Sequence, residues 1–263
     1  MLITGASSGI GYATAMAFAQ RGANVVVTAR RTERLTQLAN AVAALPAPHG
    51  ECLPLTADVT DADAMQYAVV QTVERFARLD VLVANAGIGQ RGALADASWE
   101  DIETVLHTNI GGVLHSVRAA LPALKQSHGH IVLVSSVAGI TATPYASVYG
   151  ASKAFVSSLA RSLSLELEAD GIIVTEVLLG PVATEFSQKR RGAQGHGSSA
   201  ANLPSMTAEQ VAEGIVCATE RHSKTAVLRL FDRLILLANV IAPDFIGRQA
   251  LRRYKPDEPI ETR

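Results

Sequence analysis

Residues Thr4 to Gly11 read TGASSGIG, set between the apolar triplet Met1 to Ile3 and the small-residue run YATAMAFAQ at Tyr12 to Gln20. A glycine-rich turn that follows a strand and opens a helix suits a pyrophosphate. Gly5 makes the tight turn, Gly9 lets backbone approach the anion, and Gly11 lets the helix pack close on the strand. Ser7, Ser8 and Ile10 complete a loop at the positive end of the helix, whose N–H groups point at the ligand. A glycine turn without a ligand is the competing reading, and the flanking strand and helix weigh against it. Only three residues precede Thr4, against about five to six in an average strand. The expectation is therefore a chain whose start has been trimmed or mis-set.

Outward from this turn, short apolar runs alternate with segments of helical period. Asn24 to Ala29 precedes Thr32 to Leu45, Cys52 to Thr56 precedes Asp61 to Arg78, and Val81 to Ala84 precedes a helix from Ser98 to Gln126. Ile131 to Ser135, a helix from Val148 to Ala169, and Ile172 to Leu178 continue the rhythm. The runs are rich in Val, Ile and Leu without alternation, as in parallel strands buried on both faces. Ser98 with Asp101, and Thr207 with Gln210, are helix-start signals. The fold class is α/β, a doubly wound parallel sheet in a single domain, with its ligand at the carboxyl ends of the strands.

Composition narrows the function. With 263 residues, 48% apolar and 18% charged, the chain supports one well-cored domain. Its net charge of −1 gives no general pull toward nucleic acid or an anionic surface. Cys52 and Cys217 stand far apart, which fits a reducing, cytoplasmic setting, and both read as small core residues. The uncharged stretches Met1 to Gln20 and Ile131 to Ser152 hold too many hydroxyls and glycines to span a bilayer.

The second strand ends VVVTARR, Val25 to Arg31. Ala29 stands where an acidic side chain would bind a ribose 2′-hydroxyl. Arg30 and Arg31 begin a helix, where each cation opposes the macrodipole by roughly 0.3–1 kcal/mol. A bound 2′-phosphate would offset that, so the pattern favours NADP(H) over NAD(H). A pair of solvated surface arginines is the alternative.

Further along stand NAG at Asn85, Ala86 and Gly87, Asn109 in HTNIGG, Ser136 in VLVSSVAG, and Tyr149 with Lys153 in YGASK. Tyr149 and Lys153 are four apart, one turn apart on one helix face. A phenol of pKa about 10 is a poor base at neutral pH unless a neighbouring ammonium favours its phenolate. Singly, Ser136 could be a strand-end hydroxyl, Asn109 a mid-helix kink residue and Tyr149 plain core.

Together these motifs resemble the short-chain dehydrogenase/reductase family, in its shorter single-domain Rossmann-type class, over about Leu2 to Leu228. The resemblance implies a catalytic tetrad of Asn109, Ser136, Tyr149 and Lys153. Tyr149 and Lys153 would also meet the cofactor, Lys153 holding the nicotinamide ribose; Ser136 would bond the substrate oxygen, and Asn109 would position a water for proton relay. Asn85, Ala86 and Gly87 would support the sheet beside the cofactor, and Asp58 and Val59 would flank the adenine. Gly180, Pro181, Val182 and Thr184 would close over the nicotinamide. Leu179 departs from the family's usual proline, which touches the shape of that turn. The family also implies a homodimer or homotetramer through the helices that carry Asn109 and Tyr149.

Ser135 and Ser136 face opposite sides of an extended chain, and the family spacing selects Ser136. His128 and His130 lack a carboxylate or cysteine at ligand spacing, so no metal is expected. Trp99 and the few other aromatics make no base-stacking platform. Ile88 to Arg91, Ile140 to Tyr145 and Glu185 to Met206 flank the tetrad. Val137, Ile140, Pro144, Tyr145 and Phe186 suggest an apolar small-molecule carbonyl or secondary alcohol. The glycine- and serine-rich stretch within about 185–206 reads as a flexible lid.

About 229–256 reads as a helical extension ending in basic LRRYK, with Leu230, Phe231, Leu234, Leu237, Ala238 and Ile241 at helical spacing. It could pack over the pocket or a neighbouring subunit, lie on a membrane surface, or be ordinary core. Near-neutral overall charge and short length favour packing over membrane attachment. The expected protein is an NADP(H)-dependent oxidoreductase with Tyr149 as general acid/base. A catalytically silent dinucleotide-binding or redox-sensing protein is the alternative, and sugar-nucleotide epimerase or dehydratase chemistry fits the length less well.

Overall fold

The computed structural model describes residues 1–187, 190–192 and 205–253. Seven strands form the central sheet: β1 (Leu2–Thr4), β2 (Val25–Ala29), β3 (Cys52–Thr56), β4 (Val81–Ala84), β5 (His130–Ser136), β6 (Ile173–Leu179) and β7 (Thr225–Val227). All pairings are parallel, in the order β7-β6-β5-β4-β1-β2-β3. The chain winds outward from β1 to β3 and returns to β4 on the other side of β1. The connections on either side of that switch diverge, and their divergence opens a crevice above the carboxyl ends of β1 and β4.

Helices α1 (Gly9–Gln20), α2 (Thr32–Ala43) and α7 (Ala208–Glu220) cover one face of the sheet, and α3 (Ala62–Phe76), α5 (Gly112–Ser127) and α6 (Ser147–Glu166) the other. Successive strand residues divide between the two faces. Ile3, Val25 and Val83 join Phe18, Leu38 and Ile215 in one core, while Leu2, Val26 and Leu82 join Met65, Leu124 and Val156 in the second. Both faces being buried explains the unbroken apolar strands. Side chains such as Leu82, Ile131 and Leu133, fully buried, each contribute about 1.5–3 kcal/mol relative to exposure.

Caps fall where the sequence signals them. Ser98 Oγ accepts from the Asp101 N–H ahead of α4 (Trp99–Leu106), and Thr207 and Gln210 form a reciprocal capping box on α7. The segment read as one helix from Ser98 to Gln126 is instead α4, a π-turn over His107–Gly111, and α5. The wider turn carries Asn109 into full burial. Gly112, just after the turn, packs closely on Val59, where a Cβ would stand 2.5 Å from Cγ2.

The cysteines are half-buried rather than in the core. Burial, with Glu51 adding to it, pushes the Cys52 thiol up to about 12, so it stays protonated. Around the expected lid, Glu185–Ser187 forms a 3-10 turn. Arg191–Gly192 pairs with Gln90–Arg91, and Met206–Thr207 pairs with Val182–Ala183. The lid's residues 188–189 and 193–204, and the extension's 254–256, lie outside the described residues. The extension itself forms α8 (Leu230–Ile241) and α9 (Pro243–Arg253). Among the described residues no helix is long and apolar enough to cross a membrane.

Candidate active site

A cavity of about 940 Å³ occupies the crevice above β1, β4, β5 and β6. Of the site residues named from the sequence, all but Gly11 and Asn109 line it. Those two lie just behind its wall and shape it. At the β1 end the loop is stitched to the NAG segment. Asn85 Nδ2 donates to the Thr4 carbonyl at 2.9 Å, and Thr4 Oγ1 accepts from the N–H groups of Asn85 and Ala86 at 3.1 Å.

Gly9 sits at φ +56 with Thr184 Cγ2 3.1 Å from where its Cβ would be. A Cβ on Gly11 would meet the Gly5 carbonyl at 2.6 Å and Asn85 Nδ2 at 2.7 Å. No side chain caps α1, so its opening N–H groups face a cradle made of backbone. That cradle fits a pyrophosphate at a helix N-terminus.

Arginines gather beside this loop. Arg31, the residue that opens α2, donates from Nη2 to Ser7 Oγ at 3.0 Å and Ser8 Oγ at 2.7 Å, and from Nη1 to Glu185 Oε2 at 3.1 Å. Arg34 Nη2 stands 3.9 Å from the other oxygen of Glu185, and Arg30 Nη1 stands 3.7 Å from Asp58 Oδ2. Sequence reasoning found Arg30 and Arg31 but missed Arg34 and the role of Glu185. The Arg31 to Glu185 pair spans 154 residues and leaves no local signal.

At the other end, Tyr149 and Lys153 project from α6 one turn apart. Lys153 Nζ donates to the Val134 carbonyl at 2.9 Å, and burial lowers its pKa to about 8. The Tyr149 ring lies 5.8 Å from that of Phe186, centroid to centroid. Ser136 Oγ accepts from the Ala138 N–H at 3.2 Å and donates to the Leu179 carbonyl at 3.0 Å. Ser135 turns the opposite way, donating to the Lys153 carbonyl and meeting Ser157 Oγ at 3.0 Å.

Asn109 clamps Ile88, accepting its N–H at 2.8 Å and donating to its carbonyl at 2.9 Å, with a further bond to Ser152 Oγ at 3.0 Å. Gly87 lies between the two groups behind it. A Cβ there would be 3.1 Å from Asn109 Oδ1 and 3.5 Å from Lys153 Nζ.

The carboxyl-terminal helices contribute more to the cavity than their spacing disclosed. Phe231, Asp232 and Ile235 of α8, and Ile246 and Gln249 of α9, line it. Asp232 pairs with Arg229 at 2.6 and 2.8 Å, and both sit against Gly180, where a Cβ would be 2.5 Å from Asp232 Oδ1. Tyr145, at φ 60, holds a left-handed backbone uncommon for a bulky side chain, and its carbonyl accepts from the Gly92 N–H.

The two histidines diverge. His128 Nδ1 meets the Asp170 carbonyl, whereas His130 Nε2 meets Thr175 Oγ1, and burial lowers the His130 pKa to about 4. Among the described residues no three His, Cys, Asp or Glu side chains gather to hold a metal.

Comparison with known proteins bears on this geometry. Residues 1–195 match the family model described as short chain dehydrogenase. Sulfoacetaldehyde reductase 2 of Chromohalobacter salexigens is 38% identical over 218 residues, 81% of this chain and 85% of the relative. Dehydrogenase/reductase SDR family member 7B of Bos taurus is 34% identical over 268 residues, 98% of this chain and 82% of the relative. A solved short-chain dehydrogenase from Sphingobium yanoikuyae in complex with NADPH superposes with a TM-score of 0.77 at 30% identity, covering 100% of this chain and 97% of that one.

Proposed function

The chain belongs to the short-chain dehydrogenase family, and from that membership we propose that it is an NADP(H)-dependent oxidoreductase interconverting an apolar small-molecule carbonyl and its secondary alcohol, with Tyr149 as general acid/base. Family membership makes it an oxidoreductase that binds a nicotinamide dinucleotide. The finer reading rests above all on one observation: a buried lysine one helical turn from a tyrosine on the wall of a mainly apolar cavity.

The backbone cradle at Gly5 to Gly11 would hold the pyrophosphate, Asp58 and Val59 the adenine side, and Gly180 to Thr184 the nicotinamide side. Preference for NADP(H) rests on Arg31, with Ser7, Ser8, Arg30 and Arg34 around it. The Glu185 carboxylate pairs with Arg31 at 3.1 Å and so competes with an anion for the same guanidinium. When bound, the cofactor supplies or accepts the hydride.

The chain's own residues handle the proton. Ser136 turns its hydroxyl from the Leu179 carbonyl to the substrate oxygen, keeping the Ala138 N–H as donor to its own oxygen. Tyr149 gives its phenolic proton to that oxygen in reduction and takes it back in oxidation. The Lys153 ammonium stabilises the phenolate that remains. Asn109 fixes Ile88 and, through Ser152, the helix that carries Lys153, beside which the proposed relay water would sit. A homo-oligomer built through α4, α5 and α6 belongs to the same proposal.

The test is oxidation of NADPH and of NADH against a panel of aldehydes, ketones, quinones and ketosteroids, with Kd measured for both cofactors. Turnover with tighter NADPH binding is expected. Tighter NADH binding would end the cofactor preference, and cofactor binding without turnover across the panel would return the silent-sensor reading.

A further inference from the structure

Helix α8, with sequence LFDRLILLANVI, turns its polar residues Asp232 and Asn239 inward beside Phe231 and Ile235, and leaves large apolar side chains facing outward. Its acidic residue Asp232 is 2% exposed, and Asn239 turns in to donate to the Ile140 carbonyl at 3.2 Å. On the opposite side Leu230, Leu234, Leu237 and Ile241, spaced by four, three and four, form one stripe. They are 72%, 55%, 62% and 80% exposed. Val240 beside the stripe, and Phe245 and Leu251 on the adjoining α9, are also exposed. Eight of the thirteen exposed large apolar side chains among the described residues lie on these two helices.

Among the described residues of these two helices Arg233, Arg248 and Arg252 are exposed, against one exposed acid, Asp244. A chain of net charge −1 thus concentrates positive charge beside its most apolar surface.

We propose that the outer face of α8 and α9 docks on an anionic phospholipid surface, the leucine stripe entering the acyl boundary and the arginines meeting lipid phosphates. Interfacial helices bind in this manner, with apolar residues on one side and basic residues that extend to the headgroups. A second copy of the chain fits less well. Helices of 12 and 11 residues present a face on the order of 350 Å², less than half the roughly 800 Å² per partner of a stable interface. A two-fold pairing would also bring the arginines of one copy against those of the other. Because the inner faces of the same helices line the cavity, docking would place the catalytic crevice next to the lipid.

The test is co-sedimentation of the full chain with vesicles of phosphatidylcholine and phosphatidylglycerol in equal parts, beside vesicles of phosphatidylcholine alone. The same runs are made with the double variant Leu234→Glu, Leu237→Glu and with Arg248→Glu, Arg252→Glu. Wild type is expected to pellet with the anionic vesicles and to be released by salt. The leucine variant should lose at least about tenfold in partitioning with its melting temperature kept, and the arginine variant should lose its preference for anionic lipid. Absence of pelleting, or equal pelleting by the leucine variant, would overturn the proposal. An oligomer that the leucine variant dissociates would also overturn it, in favour of a second copy.

Discussion

Helices α1 and α8 are both twelve residues long, both mainly apolar and both border the cavity, yet α1 buries seven of its residues and α8 only one, the carboxylate Asp232. The difference follows from what each helix packs against. The first lays its small residues Ala13, Ala15, Ala17 and Ala19 into the core beside α7. Roofing an apolar cavity needs large side chains on one helix face only, and α8 carries them on its opposite face as well. One end of the molecule is closed by its own packing, and the other presents a surface for which the fold supplies no cover among the described residues.

Substitutions at the two ends should therefore differ in kind as well as size. The largest effect is expected at the reacting centre between them, where Lys153→Met should lower kcat by about 10²–10⁴ with cofactor still bound. Burial alone holds Lys153 near 8, so its ammonium is present below that pH and lost above it. In wild type kcat/KM for carbonyl reduction should fall about tenfold per pH unit above ~8, a break absent in the methionine variant. Folding lowers this pKa from an unfolded value of about 10.4, so the group's contribution to stability grows as pH rises through that window.

Next, at the cofactor end, Arg31→Ala should raise the Kd for NADPH about 10–100-fold and leave that for NADH nearly unchanged, as titration calorimetry would read. Gly11→Ala, placing a methyl 2.6 Å from the Gly5 carbonyl, should destabilise by about 1–3 kcal/mol in chemical unfolding. Leu237→Ala on the outward stripe should stay within about 0.5 kcal/mol, and equal losses at the two positions would erase the contrast between the helices. The smallest effect belongs to Glu185→Gln. Freeing Arg31 from a half-exposed carboxylate should tighten NADPH by about two- to fivefold, measured in the same titration.

Local patterns made much of this legible. The glycine loop, the NAG segment and the Tyr149 and Lys153 spacing each report on a few neighbouring residues, and the strands declared themselves because both their faces are buried. The alternation of an extended chain sends Ser135 and Ser136 to opposite sides, and the family spacing selects Ser136; Ser135 bonds to α6. What stayed hidden depends on distance or on ambiguity. A π-turn leaves no composition signature, so Asn109 read as mid-helix. Glu185 meets Arg31 only through the tertiary fold. Helix α8 showed its period but not which face would pack, because both faces are apolar and its acid turns inward.

In the proposed function Tyr149 moves the proton while the rest of the site holds cofactor and substrate in place. Single-turnover reduction by Tyr149→Phe, with NADPH and a carbonyl substrate found for the wild type, tests it most directly. The Kd for NADPH is expected to stay unchanged and the rate to fall by about 10²–10⁴. A phenylalanine variant reducing the carbonyl at near wild-type rate would contradict it.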